Sequence, residues 1–242
     1  MNTVFVASPA EPVGWHLIEA RGSDTATFLQ GQLSCDVLSL TPGTEINGLL
    51  LSPGGDVVSS LTCRHHVEGI DLLVRAESAE ATLASLRRFL LRTACELRDV
   101  GGAPGPYATL GQQLLRGDPG PHEFARGLTA HAFGQAFVDQ HVSFTKGCFT
   151  GQELVGRLDS RGGKVPFRLA RVRGASLDSL TTVVQSAGPT GDRALQGLTS
   201  ASAGEDVVAL AVVHRTLLGE ERTGVIDGVR VELLHDGEPD AR

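Results

Sequence analysis

The sequence predicts an α+β fold, in which antiparallel sheets with helices form an N-terminal body and a small β-barrel follows. Apolar segments of β-type composition come in runs before residue 100, which is typical of antiparallel sheets. A cluster of Gly and Pro at 101–106 then interrupts the chain. Beyond residue 165, short β-type segments alternate with Gly and Pro turns, as in small barrels. The predicted units are residues 1–100, 101–163 and 164–242.

The N-terminal unit begins with a predicted strand at Trp15–Ala20. A short helix follows, with Ser23 and Asp24 as candidate N-caps and Gly31 at its end. A meander of three strands comes next, because turn-forming residues separate three apolar segments. These segments are Ile46–Ser52, Val57–Arg64 and Ile70–Ala76.

A longer helix is predicted from Ala79 to about Thr93, with Ser78 as its cap. Its apolar residues share one stripe, at Ala79, Leu83, Leu86 and Leu90. A strand at Cys95–Val100 closes the unit, and Tyr107–Leu115 fits either a strand or a short helix. The strands predicted for the C-terminal unit are Val165–Val172, Thr181–Gln185, Ala194–Ser200, Val207–His214 and Val229–Leu234.

Composition limits the classes of function. The net charge of −7 disfavours non-specific nucleic-acid binding, which needs a basic surface. The four cysteines show neither C-x-x-C spacing nor a His at metal-ligand spacing, so no metal site is predicted. The chain shows no signal peptide and no apolar run that could span a membrane. We therefore expect a cytoplasmic protein with reduced thiols and no membrane partner.

The most distinctive segment is Lys146–Glu153, which combines a thiol, an ammonium group and two glycines. Thr150 and Glu153 have the spacing of a capping box, which predicts a helix starting near Thr150. Cys148 would then lie one or two residues before a helix N-terminus and close to Lys146, where the thiolate is favoured. The alternative is a capped helix after a glycine turn, with Cys148 buried as a small hydrophobic residue.

This segment, K-G-C-F-T-G-Q-E, resembles the K-G-C-[F/Y]-x-G-Q-E signature of the YgfZ family. Residues 28–37 resemble the family's F-L-Q-G-Q-[L/V]-[S/T]-x-D-[V/L] segment, and weaker similarity extends from about residue 15 to 234. The YgfZ proteins bind folate and are implicated in iron–sulfur protein maintenance and tRNA modification. They share their fold with aminomethyltransferase, the T-protein of the glycine cleavage system.

The resemblance implies that tetrahydrofolate or a related reduced folate binds between the N-terminal body and the barrel. It implies iron–sulfur enzymes as clients, with Cys148 as the reactive thiol beside Lys146, and no direct binding of nucleic acid. Side chains near the two motifs are candidates to hold the folate, and Asp118 and Glu123 are alternatives for the pterin ring. The candidates near the motifs are Gln30, Gln32, Gln152, Glu153 and Arg157.

Two other functions stay open. An aminomethyltransferase-like one-carbon transferase is disfavoured, because the transferases have aspartates where this chain has Ser59 and Ser60. A hydroxyl group cannot supply the negative charge of a carboxylate. The third hypothesis is a binding module that has kept the fold and lost folate. The resemblance favours a non-enzymatic accessory protein.

Overall fold

The computed structural model describes residues 5–180, 195–202, 207–214, 223–226 and 228–234. Its strands are β1 (Phe5–Ala7), β2 (Trp15–Arg21), β3 (Glu45–Leu51), β4 (Val57–His66), β5 (Gly69–Arg75), β6 (Glu96–Gly102), β7 (Phe167–Gly174), β8 (Leu195–Ser202), β9 (Val207–His214), β10 (Thr223–Ile226) and β11 (Val229–Leu233). Its helices are α1 (Thr25–Gln32), α2 (Ala76–Arg87), α3 (Leu110–Arg116), α4 (Pro121–Phe124), α5 (Gln135–His141) and α6 (Gln152–Asp159), with 3₁₀ helices at Val37–Ser39 and Ala130–Phe133.

The N-terminal sheet has five strands in the order β3-β4-β5-β2-β6, and all its neighbours are antiparallel. The predicted meander of β3, β4 and β5 is thereby confirmed. Helix α2 covers one face of this sheet and packs on β2, β4, β5 and β6. The core between them contains Ile18, Leu72 and Leu86, none of which is exposed.

The predicted bounds of two helices were wrong. Helix α2 begins at Ala76, directly after β5, so that Ser78 lies inside the helix and does not cap it. It ends at Arg87 and not near Thr93, and Arg92 has φ +57°, a left-handed conformation that a right-handed helix cannot include. In α1, Gly31 lies within the last turn. Asp24 occupies the predicted N-cap position of α1, but its side chain does not cap the helix, and its carboxylate accepts a hydrogen bond from the Ala94 N–H.

The second sheet has six described strands in the order β1-β8-β9-β7-β11-β10. Its pairs are antiparallel except β1 with β8, which are parallel. The predicted C-terminal barrel is not confirmed, because β1 and β10 form two separate edges among the described strands. The strand predicted at Thr181–Gln185 lies outside the described residues. The boundaries predicted at residues 100 and 163 stay a prediction.

The middle segment of the chain packs between the two sheets. Phe133 is fully buried, with its ring 5.5 Å from that of Phe124 and 5.2 Å from that of Phe137. The same core cluster takes in Leu51 from the first sheet and Val212 from the second. The alternative left open for Tyr107–Leu115 is resolved as helix α3, which Thr109 caps together with Gln112. This packing fixes α5 and α6, and the loop between them carries the Lys-Gly-Cys sequence.

Candidate functional site

The two motif segments meet in space: the C-terminal end of α1 contacts the loop that precedes α6. The Thr150 N–H donates to the Gly31 carbonyl at 3.1 Å. The Thr150 hydroxyl donates to Oε1 of Gln32, also at 3.1 Å and across 118 positions of sequence. The Thr150 backbone and side chain therefore attach the loop to the last turn of α1.

Lys146 makes the second attachment. Its ammonium group donates to the carbonyls of Gln30 and Leu33, and the Nζ–O distance to Leu33 is 2.5 Å. The last carbonyls of a helix lack partners inside the helix and carry partial negative charge, so a cation there is stabilising. The ammonium also lies 5.0 Å from the ring centroid of Phe149. Its partial burial lowers the pKa of Lys146 below the usual range, and the acidic groups of Cys35 and Asp36 oppose this shift.

Ser34 ties the same region to the sheet, and the sequence analysis missed it. Its hydroxyl donates to the His141 carbonyl at 2.6 Å and accepts from the Leu49 N–H at 2.8 Å. The Ser34 carbonyl accepts from the Ser143 N–H at 2.9 Å. The end of α5, the end of α1 and β3 are thus held together. The available signal was that Ser34 occupies the [S/T] position of the second motif.

The turn into α6 requires glycine at position 151. Gly151 has φ +79°, and a Cβ there would lie 2.5 Å from the Ser52 carbonyl oxygen and 2.8 Å from the Leu51 Cβ. Such approaches are shorter than real Cβ contacts, so the loop closes on the end of β3 only without a side chain. At Gly147, by contrast, a Cβ would meet nothing within 4 Å.

The predicted capping box was wrong. Gly151 is the N-cap residue of α6, and no side chain caps this helix. The Thr150 hydroxyl instead donates to Oε1 of Gln32, on the last turn of α1. Helix α6 begins at Gln152, so three residues separate Cys148 from its first turn and Cys148 does not lie at the helix N-terminus.

Cys148 is a free and exposed cysteine, which rules out the alternative of a buried hydrophobic residue. Its neighbours Thr145 and Gly147 are exposed as well, and the exposed fraction of Phe144 is 47%. The loop therefore presents the thiol on an open surface. A reagent as large as another protein can reach a thiol in this position.

The three predicted glutamines each hold part of the site. Gln30 donates through Nε2 to Asp36 at 2.9 Å, and its Oε1 accepts from the Leu38 N–H at 3.3 Å. Gln32 accepts from Thr150, as described above. Oε1 of Gln152 accepts from the Phe149 N–H at 3.2 Å. These contacts order the loop and the end of α1.

The other predicted folate ligands are charged. Glu153 and Arg157 form an exposed ion pair along α6, with 3.2 Å between Oε1 and Nη2. Asp118 pairs with Arg116 at 2.8 Å. Glu123 is fully buried, and its carboxylate accepts from the Gly120 N–H at 2.7 Å at the start of α4. A folate-binding role of these residues and of the three glutamines stays a prediction.

Ser59 lies on β4 and faces helix α2. It is fully buried, and its hydroxyl lies 2.9 Å from that of Thr82 on α2. Ser60 faces the other side of β4, because adjacent residues of a strand alternate. An ionised carboxylate at position 59 would be buried, and neither Thr82 nor Ser60 carries a positive charge to pair with it. Burial of such an unpaired charge is costly.

His131 is a second residue that the sequence analysis missed. Its exposed fraction is 2%, and neither ring nitrogen has a hydrogen-bond partner among the described residues. Its Nε2 lies 3.9 Å from the carboxylate of Asp159, the last residue of α6. Burial lowers the pKa of His131, and the charge of Asp159 opposes the shift. The surrounding sequence shows no motif that would have identified this histidine.

Two cavities lie away from the loop. A groove of about 370 Å³ runs between the start of α1 and the turn that joins β4 to β5, where Val67 and Glu68 line it. A cavity of about 80 Å³ is lined by Arg75, Gln113 and His122, among others. Neither includes a residue of the 146–153 segment.

Two further features are absent from the described residues. Within the described ranges, no three His, Cys, Asp or Glu side chains are grouped so as to hold a metal ion. No helix in the described part of the chain is long and apolar enough to cross a lipid bilayer.

The fold is that of the glycine cleavage aminomethyltransferases. The crystal structure of glycine cleavage system aminomethyltransferase T from Bartonella henselae superposes with a TM-score of 0.52 and 14% sequence identity. The similarity covers 92% of this chain and 83% of that one. At this identity the likeness defines the fold alone.

Sequence comparison points to one group with this fold. The chain is 33% identical over 75 residues to tRNA-modifying protein YgfZ of Sodalis glossinidius, a match that covers 31% of this chain and 23% of that protein. It is 22% identical to the protein of the same name from Vibrio atlanticus, over 69% of this chain and 70% of that protein. The resemblance to YgfZ proteins that the two motifs predicted is thereby confirmed. The chain spans about a quarter of the length of the first curated relatives that it matches, and no protein-family model matches it.

Proposed function

We propose that the protein is a tetrahydrofolate-binding accessory protein for the assembly or repair of iron–sulfur proteins, linked to tRNA modification, with Cys148 as its key thiol. The names of the curated relatives support the link to tRNA modification. The aminomethyltransferase fold supports a reduced folate as the proposed ligand.

The observation that carries the proposal is the meeting of the two motif segments. The end of α1 and the 146–150 loop are joined by hydrogen bonds of Thr150 and Lys146. This joint leaves Cys148 exposed on a loop that is anchored on both sides. An anchored, accessible thiol is suited to reaction with a partner protein, because an anchored loop loses little conformational freedom on contact.

The residues beside the joint fit a reduced folate chemically. Among the described residues, the amide NH₂ groups of Gln32 and Gln152 have no acceptor, so both remain available to a pterin carbonyl. The exposed guanidinium of Arg157 is a partner for the glutamate carboxylates of a folate. When bound, the folate would supply a one-carbon carrier.

The one-carbon transferase alternative is disfavoured by Ser59. This position carries a neutral hydroxyl that is bonded to Thr82, beneath α2. No negative charge is therefore available there to position a folate amine. We assign the protein an accessory role for this reason.

Titration with tetrahydrofolate tests the folate half of the proposal. The indole of Trp15, the only tryptophan, reports binding by fluorescence, with calorimetry as an independent readout. We expect a dissociation constant in the micromolar range. Arg157→Ala should weaken binding about tenfold, while Arg98→Ala, another exposed arginine in an ion pair, should leave it unchanged. Absence of binding at millimolar folate would refute this half.

Substitution of the thiol tests the other half. Cells that lack the gene receive the unchanged protein, Cys148→Ala or the control Cys95→Ala, and iron–sulfur enzyme activities and modified tRNA nucleosides are measured. We expect Cys148→Ala to fail and the partly buried Cys95→Ala to succeed. Full function of a folded Cys148→Ala protein would exclude the proposed role of the thiol.

A further inference from the structure

A pair of buried thiols lies beneath the end of α1. The Sγ atoms of Cys35 and Cys63 are 3.9 Å apart and in hydrogen-bonding contact. Their exposed fractions are 1% and 0%. Cys35 follows α1 and Cys63 lies on β4, so the contact joins two elements that are 28 positions apart in sequence.

The sheet is built to admit Cys35. A Cβ at Gly48, in the middle of β3, would lie 2.5 Å from the Cys35 Sγ. Gly48 pairs with Leu61, and the neighbouring pair on the same face of the sheet is Ile46 with Cys63. A glycine inside a strand weakens it and marks the close approach of another group. Here that group is the Cys35 side chain. Because Gly48 has no side chain, the Cys35 sulfur can reach Cys63.

The two sulfurs differ electrostatically. The hydrogen bond from Cys63 lowers the pKa of Cys35, and the Lys146 ammonium adds to this effect. The same hydrogen bond, together with burial, raises the pKa of Cys63. The pair thus combines one sulfur that ionises more readily with one that keeps its proton.

We infer that Cys35 and Cys63 form a redox pair, which hydrogen peroxide converts to a disulfide beneath the motif loop. Neither the fold nor the proposed function assigns a role to these thiols. Full burial favours an oxidant as small as a peroxide over a bulky disulfide.

The reaction has two balanced steps. The Cys35 thiolate attacks one peroxide oxygen, so that an S–O bond forms, the O–O bond breaks and the departing hydroxide is protonated to water. The Cys63 sulfur then attacks the sulfenic sulfur of Cys35. The S–S bond forms, the S–O bond breaks, and the second oxygen leaves as water with the Cys63 proton. The two thiols lose two electrons, and the peroxide gains them.

Formation of the disulfide shifts groups that belong to the candidate site. The Sγ–Sγ distance must shorten from 3.9 Å to the bond length of about 2.05 Å. Cys35 adjoins Ser34, which binds the end of α5, and closely follows Leu33, whose carbonyl accepts from Lys146. Movement of Cys35 toward β4 therefore displaces Ser34 and the Leu33 carbonyl, which are two of the groups that hold the loop carrying Cys148.

Peptide mapping tests the pair. The fully reduced chain is treated with hydrogen peroxide and denatured, its remaining thiols are alkylated, and its peptides are identified by mass spectrometry. We expect a Cys35–Cys63 disulfide, lighter than the reduced pair by two hydrogen atoms. In Cys63→Val, which keeps the apolar volume of this site, no such product can form. Reduced Cys35 and Cys63 beside oxidised Cys148 would overturn the inference.

A second measurement tests the coupling to the loop without any assay of folate or client enzymes. The alkylation rate of Cys148 is compared between the reduced and the disulfide forms of the native protein. We expect a change of at least threefold, and no change in a Cys63→Val protein treated in the same way. Equal rates in both forms would show that the disulfide does not act on the loop.

Discussion

Replacing Lys146 with Met tests how the two motif segments are held together. The substitution keeps a flexible apolar stem, so the packing beside Phe149 is largely retained. It removes the ammonium group and leaves the carbonyls of Gln30 and Leu33 without this donor. The effect therefore reports the hydrogen bonds and the charge.

The magnitude follows from these two bonds. Hydrogen bonds that involve a charged group contribute about 1.5–3 kcal/mol each. Lys146 is only partly buried, and removing it also removes the cost of desolvating its charge, which the lowered pKa reveals. We therefore expect a net loss of about 2–3 kcal/mol in the free energy of unfolding. For a chain of this size that loss corresponds to a decrease in Tm of roughly 5–10 °C.

The assay is thermal and urea-induced unfolding, with hydrogen exchange to locate the change. Lys164→Met is the matched control, because Lys164 is the other lysine of the chain and is exposed. Faster exchange is expected at the Thr150 amide, which donates to Gly31 beside the Lys146 contact. Equal stability of the two variants, or unchanged exchange at Thr150, would refute the proposed anchoring.

Two further predictions concern the turn into α6 and a buried imidazole. Gly151→Ala should destabilise the protein by about 2 kcal/mol or more in urea unfolding, because it forces a Cβ into a left-handed position against Ser52. Gly147→Ala has open space and should stay within about 0.5 kcal/mol, and equal losses would contradict the reasoning. For His131, the lowered pKa means that the unfolded state takes up its proton first, so stability is full above pH 6.5 and falls as the pH decreases below it. His131→Gln should flatten this decrease in Tm and His65→Gln should not; parallel curves for all three proteins would exclude the assignment.

Segments with strong local patterns were predictable from the sequence. The meander of β3, β4 and β5 follows from three apolar runs and their turns, and these signals act within a few residues. The start of α2 was mispredicted at Ala79 because Ser78 has the chemistry of a cap, whereas the helix begins three residues before Ala79, at Ala76, where β5 ends. Tertiary packing sets the start of this helix, and a local sequence pattern carries no information about that packing.

The candidate site was less predictable than the fold, because its contacts join segments that are distant in sequence. The spacing of Thr150 and Glu153 is that of a capping box, and in an isolated peptide it would compete for the helix start. In the folded chain the hydroxyl of Thr150 meets Gln32, which is 118 positions away in sequence. The motifs could be found in the sequence, but only the fold brings them together. The contact of Cys35 with Cys63 was missed for the same reason, since neither residue belongs to a spacing pattern.

The position of Lys146 changes the physical meaning of the Lys-Gly-Cys sequence. Proximity in sequence favoured an ammonium that acts on the Cys148 thiol. In the structure the ammonium donates to the end of α1, and the acidic groups that influence it most are those of Cys35, Asp36 and Cys63. Its charge therefore acts on the buried thiols and on the joint between the motifs, which makes Lys146 a positioning residue. The reactivity of Cys148 then depends on where the joint holds its loop, and a change in the buried pair can reach the exposed thiol through Leu33 and Lys146.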